Sequence, residues 1–245
     1  MLPKENLLIM NKLLLFFSIT VLIASCSSGP NKYTELAEYG YKGPVEYAIT
    51  KKFDKAEKID GKWVCSDYGY FMTRSYHFNK DGFIDTIDSK VYFDDFRYDT
   101  EMTFTFRDGN KVGSIMRDNN GETTYYVYEW EDDYHYSYKP AGRETYATFE
   151  SFSELNEDFR DLKGTSKDYH EGKLIFSETY TNYFDEDGTI ARTRLEDQLT
   201  GNVITHLYTD KILDDYGNII ECAVLDSASG ELLQYMKRKY TYYED

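Results

Sequence analysis

NYFDEDGTIARTRLEDQLTGNVITHLYTDKILDDYGNIIECAVLDSASGELLQYMKRKYTYY, from Asn182 to Tyr243, decides the fold. Gly188, Gly201, Gly217 and Gly230 punctuate it at steps of 13, 16 and 13 residues. After three of them an apolar pair follows one residue later: Val203-Ile204, Ile219-Ile220 and Leu232-Leu233. A strand plus a short turn fills such a step, and glycine supplies the positive φ that hairpin turns need. The stretch therefore reads as an antiparallel meander. Its strands have two unlike faces. Ile220, Cys222 and Val224 share one parity, Ile219, Glu221, Ala223 and Leu225 the other. Near the end, Tyr235, Lys237 and Lys239 oppose Met236, Arg238, Tyr240 and Tyr242. Long amphipathic side chains can cover a sheet with their stems while their tips stay wet.

The same grammar extends towards the N-terminus. Val45–Thr50 alternates as a first strand, and Asp60-Gly61 is a hairpin signal. Phe78 and Phe106 run into the turns Asn79-Lys80-Asp81-Gly82 and Arg107-Asp108-Gly109, and Asn119-Asn120-Gly121 closes another strand. Tyr126, Tyr128, Trp130, Tyr134, Tyr136 and Tyr138 share a parity around a turn at Glu131-Asp132-Asp133. That hairpin has an aromatic face, which is either core or an open binding platform. One segment departs from the pattern. Phe152, Leu155, Phe159 and Leu162 recur at helical spacing, Ser151 and Glu154 form a capping box, and Gly164 suits a stop. This predicts an amphipathic helix over 152–163, packed on the sheet. Tyr33–Tyr39 has room for one or two helical turns. The expected fold is all-β and mainly antiparallel: a long curved meander of Gly-turned hairpins, either an open sheet or rolled into an open barrel, with one short helix. A membrane-spanning barrel needs an uninterrupted apolar outer band, which these strands lack.

Composition agrees. Of 245 residues 25 are Tyr and 15 Phe, which favour pleated surfaces, and only 4 are Pro. The first 25 residues read as a secretory signal: Lys12, then an apolar run from Leu13 to Ile23, then small residues. The run is too short for a comfortable membrane span. Ile23-Ala24-Ser25-Cys26 resembles the lipobox of bacterial lipoproteins, in which the cysteine at the Cys26 position becomes the lipidated first residue. Residues 26–41 would then be a lipidated tether, and 42–245 a single β domain. Removing the signal leaves 26 basic against 43 acidic residues, a formal charge of −17. So acidic a chain excludes nucleic acid as partner. No acidic residue directly follows Cys26. By resemblance to other lipoproteins, this implies the outer rather than the inner membrane.

Repeats of the form aromatic-x-aromatic-(Asn/Asp)-x-(Asp/Asn)-Gly-x-(Ile/Leu/Val), best matched at Tyr76–Ile84 and Asn182–Ile190, resemble tyrosine-aspartate repeats of the Rhs type. The opening Lys42-Gly43-Pro44-Val45, together with Asp60-Gly61-Lys62-Trp63-Val64, is similar to bacterial envelope lipoproteins with degenerate repeats of this kind. The resemblance implies a fold and a location, and no catalytic residues.

Cys65 and Cys222 lie far apart in sequence; in an oxidising envelope they either pair or pack as small hydrophobes. No nucleophile elbow, zinc-protease helix, Cys-x-x-Cys pair or phosphate loop occurs, and no cofactor is implied. His77, His135, His170 and His206 read as cross-strand packing residues. In Asp185-Glu186-Asp187-Gly188 the glycine arrives too early for a calcium loop, so that segment reads as a hairpin turn. The functional expectation is a non-enzymatic, membrane-anchored envelope module that binds a protein or glycan or serves structurally. The alternative is a hydrolase of envelope or imported polysaccharide. Asp94-Asp95 and Asp132-Asp133 are among the acidic pairs it could draw on.

Overall fold

A computed structural model describes residues 32–66, 69–93, 96–142 and 147–244. The signal segment, Cys26, Asp94 and Asp95 lie outside the described residues. One short helix, α1 (Glu35–Glu38), precedes the strands; Thr34 caps it, its hydroxyl accepting from the Ala37 N–H. The strands are β1 (Val45–Phe53), β2 (Glu57–Ile59), β3 (Lys62–Val64), β4 (Tyr70–Phe78), β5 (Ile84–Tyr92), β6 (Arg97–Arg107), β7 (Asn110–Asp118) and β8 (Thr123–Trp130). They continue as β9 (His135–Pro140), β10 (Ala147–Leu155), β11 (Asp161–His170), β12 (Lys173–Phe184), β13 (Ile190–Asp197), β14 (Val203–Leu213), β15 (Ile219–Asp226) and β16 (Leu232–Tyr242).

Strands β4 to β16 form an unbroken antiparallel meander, and β1 pairs with both β4 and β16. The result is a closed barrel of 14 strands, rather than an open sheet. Closure removes both sheet edges. The seam runs from Val45↔Tyr242 to Phe53↔Tyr235. Hairpin β2–β3 lies outside the barrel wall. Trp63 and Lys58 both donate to Asp210 of β14, at 2.7 and 2.9 Å, and Trp63 packs over Tyr235.

The turns follow their glycines. Gly188, Gly201, Gly217 and Gly230 all have φ between 72° and 83°. Four hairpin turns at one end of the barrel share a single design. Asn79, Asn156, Asp185 and Asp214 each accept from the backbone N–H three residues on, and each donates its own N–H to the carbonyl four residues on. In Asn79, Asn156 and Asp214 the side-chain oxygen also accepts from the N–H groups two and four residues on.

The second of these turns explains why no helix spans 152–163. Asn156-Glu157-Asp158-Phe159 copies Asn79-Lys80-Asp81-Gly82, with Phe159 at φ 60° where its counterpart is glycine. The flanking residues are strands β10 and β11, paired Phe152↔Thr165 and Ser153↔Gly164. The apolar residues that mimicked a helical stripe are thus divided between strand faces and a turn. Gly164 is a mid-strand residue rather than a helix stop. The Tyr180 ring lies over it, 2.5 Å from where a Cβ would stand. The N-terminal boundary differs too: the compact unit begins at Tyr33, so residues 33–41 belong to it and not to a tether.

Register fixes which side chains face inward. Ala48, Thr50 and Lys52 of β1 share a face with Tyr240, Arg238 and Met236 of β16, and with Tyr76, Arg74 and Met72 of β4. The alternate residues face outward, among them Lys51, Lys237, Lys239, Arg192 and Arg194. Ion pairs decorate this outer face, with Arg117 to Glu101 and Lys139 to Glu129 both at 3.7 Å.

Candidate functional site: an aromatic lumen with a polar cavity

Fourteen strands enclose a lumen wider than two walls of side chains fill unaided. The tyrosines and an N-terminal plug occupy part of it. Tyr126, Tyr128, Trp130, Tyr136 and Tyr138 project from β8 and β9 into the lumen, and Tyr134 follows from their connecting turn. Tyr128 and Tyr136 are buried; the others are partly buried around them. What covers them is Tyr33, Phe159 and Ala37 of α1, not a helix over 152–163. Tyr33 meets Trp130 edge-on with ring centres 4.9 Å apart. The aromatic hairpin is therefore core, and no open platform exists there.

Helix α1 carries Glu35 and Glu38 into the same region, where they share Lys111 at 3.7 and 3.3 Å. Burying three charges is costly unless they are paired and hydrogen-bonded. They are: Tyr33 donates to Glu35 at 2.8 Å and also to Glu38, and Tyr136 donates to Glu38 at 2.6 Å. Glu35 has no exposed surface, and burial pushes its carboxyl up to about 7 despite Lys111. Burial works against the Lys111 charge too, but Glu38 and Glu35 hold its pKa above the usual lysine value. This charged knot locks the plug to the wall.

Beside the plug a cavity of ≈ 300 Å³ remains open. One wall is β16, β1 and β4, which set Arg238, Thr50 and Arg74 abreast. Lys52 projects two residues along, between Met236 and Met72. Arg238 donates through Nε to Thr50 Oγ1 at 2.8 Å and through Nη1 to the Tyr240 hydroxyl at 3.2 Å. Its guanidinium also lies 5.4 Å from the Tyr41 ring centre. Arg74 Nε donates to Ser89 Oγ at 3.0 Å. None of Lys52, Arg74 and Arg238 has an ion-pair partner among the described residues. Burial, and then repulsion from Arg74 and Arg238, brings the Lys52 ammonium down to about 8. The opposite side holds Tyr208, Asn182 and Asp161. Both Asp161 carboxylate oxygens accept from the Tyr180 hydroxyl, at 2.8 and 2.9 Å, and burial raises this group to about 7. Tyr39 lines the cavity and leaves 38 % of its surface open.

Sequence alone did not bring the three cations together, since they lie on three different strands, Lys52 and Arg238 beside outward-facing lysines. Parity was the available signal: Arg238 falls in line with Met236 and Tyr240, and Arg74 with Met72 and Tyr76. A charge in an apolar row is the mark of a lumen position.

The remaining candidates take structural places. Cys65 and Cys222 are free thiols. They lie on opposite faces of the wall, Cys222 in the lumen with Met236, and Cys65 outside with Ala223 under the β2–β3 flap. Asp132 accepts from the His135 ring at 2.8 Å and caps the β8–β9 turn. His77 packs on the Tyr47 ring. Among the described residues no group of three or more His, Cys, Asp or Glu could hold a metal ion.

No family model and no curated protein matches the chain. Among solved structures the barrel is similar to a porin-like protein from Bacteroides vulgatus, at 12% identity and a TM-score of 0.49, with 80% of this chain and 98% of that one covered. It is also similar to a porin-like protein from Bacteroides uniformis, at 14% identity and a TM-score of 0.42, covering 88% of this chain and 100% of that one.

Proposed function

We propose that this is a non-enzymatic lipoprotein of the bacterial envelope, tethered through Cys26, whose water-facing barrel holds a small ligand in its lumen. The observation that carries the reading is the make-up of the wall: outside, charges such as Lys51, Lys237, Arg192 and Glu101 interrupt apolar residues such as Val127 and Tyr183, while tyrosines and an open cavity lie inside. A barrel that spans a bilayer needs the opposite arrangement on its outer face. A cavity of ≈ 300 Å³ is at the small end of ligand sites. The two carboxylates that line it, Glu38 and Asp161, are both engaged by tyrosine hydroxyls, which favours binding over hydrolysis. The lipobox-like run supports an anchor, and the absence of an acidic residue after Cys26 favours the outer membrane.

Fractionation of cells expressing Cys26→Ala tests the tether. The variant should leave the membrane fraction, or persist as an uncut precursor, and the released barrel should stay monomeric without detergent. Correctly processed Cys26→Ala retained in the membrane like the wild type would refute the reading.

A further inference from the structure

The wall formed by β16, β1 and β4 is anomalous in this molecule. The chain carries a net charge of −16, yet three cations stand together here without an ion pair among the described residues, although Glu38 and Asp161 line the same cavity, engaged by tyrosine hydroxyls. Lys111 and Lys211 are treated differently, Lys111 having Glu35 and Glu38 and Lys211 having Asp185; Arg160, a fourth cation lining the cavity, lies over the Phe184 ring without an ion pair among the described residues. We propose that Lys52, Arg74 and Arg238 form an anion site, receiving the carboxylate, sulfate or phosphate group of a small organic ligand whose body lies against Tyr39, Tyr41 and Tyr208. This rests on the reading of the lumen as a binding compartment.

Three observations converge. First, the two guanidinium groups are held in place by neutral partners, Ser89 for Arg74 and Thr50 with Tyr240 for Arg238. Those bonds fix the forks without neutralising them. Each arginine has five N–H donors, and terminal ones remain for an incoming oxyanion. Second, the spacing suits one acceptor group. Arg238 and Arg74 flank Thr50 on adjacent strands, so their backbones are about 10 Å apart. Long side chains from both sides of that gap can meet on one small group, with Lys52 above it. Third, Lys52 is brought down to about 8 by burial first and then by repulsion from Arg74 and Arg238, and an anion seated among the three would offset that repulsion. The tyrosines beside the site then act on the ligand's body. Planar rings stack on flat surfaces and their hydroxyls donate to polar groups. The small volume excludes a polymer chain lying fully inside.

Isothermal titration of the full chain in mild detergent tests this, with phenyl phosphate, inorganic phosphate and phenol as probes. Phenyl phosphate should bind more tightly than inorganic phosphate, and phenol about tenfold or more weakly. Arg74→Gln and Lys52→Met should each weaken phenyl phosphate by about tenfold, the worth of one charge-assisted hydrogen bond. Lys52→Met also guards against misfolding. Methionine fits a position between two methionines and relieves the repulsion, so the unliganded Tm should rise while the ligand-induced rise in Tm shrinks. Unchanged phenyl phosphate binding in both folded variants would overturn the anion site. Phenol binding as tightly as phenyl phosphate would also overturn it, while leaving the lumen reading intact. No binding of any probe to the folded wild type would overturn both.

Discussion

Phe159 shows what a single residue contributes to this barrel. It occupies a turn position with φ 60°, where three sister turns have glycine. The left-handed conformation costs a branched-Cβ-free but bulky residue about 1–2 kcal/mol. The return is a ring buried between Tyr33 and Tyr134, which helps seal the lumen over the aromatic hairpin. Two substitutions separate strain from packing. Phe159→Ala loses the ring and keeps the strain, and should cost about 3–5 kcal/mol. Phe159→Gly loses the ring and relieves the strain, so it should be less destabilising by about 1 kcal/mol. Denaturant titration of both variants checks the order; the reverse order would show that the backbone here is unstrained. The same residue hid the turn from a sequence reading. Asn156-Glu157-Asp158 had the right polar pattern, but with phenylalanine in glycine's place the apolar spacing looked helical.

At the scale of elements, the plug and the aromatic hairpin act as one unit. Trp130 packs against Tyr33 and Tyr136 and donates its indole N–H to the Lys111 carbonyl at 2.8 Å. Trp130→Ala should therefore cost about 3–5 kcal/mol in a chemical melt. A melting curve that barely moves would mean the hairpin is not core. The buried acids give the unit a pH dependence with a definite sign. Glu35 titrates at 4.5 when exposed and near 7 when folded; Asp161 moves from 3.8 to about 7. Across that window the folded chain keeps protons that the unfolded chain has released, so raising the pH favours unfolding. Each group removes on the order of 3 kcal/mol between about pH 5 and 8. The turn aspartates act in the other direction. Asp197 is held below its usual range by Thr200 and by backbone N–H groups, and Asp226 by Ser229 and Ala228. Their contribution is present above pH 3.8 and lost in stronger acid. Thermal melts should therefore peak near about pH 5 and fall towards 7.5, and Glu35→Gln with Asp161→Asn should flatten that fall. A wild-type Tm that rises from pH 5 to 7.5 would contradict the burial of these acids. Of this unit the sequence disclosed the strands, the turn and the shared parity of the six aromatics. It could not disclose the cover, because Tyr33 is 97 positions from Trp130 and belongs to a segment that looks like a tether.

At the scale of the whole molecule, closure is the property that local reading could not reach. Glycine spacing and alternation imply a meander, and both are local signals. Whether the meander stays open depends on β1 meeting β16, a pairing of Val45 with Tyr242 that no neighbouring residue announces. Closure in turn decides that one parity becomes a lumen and the other a wall. The lumen carries the tyrosines, the plug and the cation group Lys52, Arg74 and Arg238; the wall carries lysines, arginines and glutamates among apolar residues such as Val127 and Tyr183. The proposed function requires that this wall faces water even when the chain is anchored to a membrane through Cys26. Spin labels at Glu101 and Val127, outward and mid-strand on β6 and β8, test it most directly, in the full chain with Cys65→Ser and Cys222→Ala reconstituted into liposomes. The account predicts that a water-soluble nickel complex relaxes both labels efficiently while oxygen dissolved in the bilayer does not. Strong oxygen relaxation with nickel excluded at both positions would place the wall in lipid and contradict it.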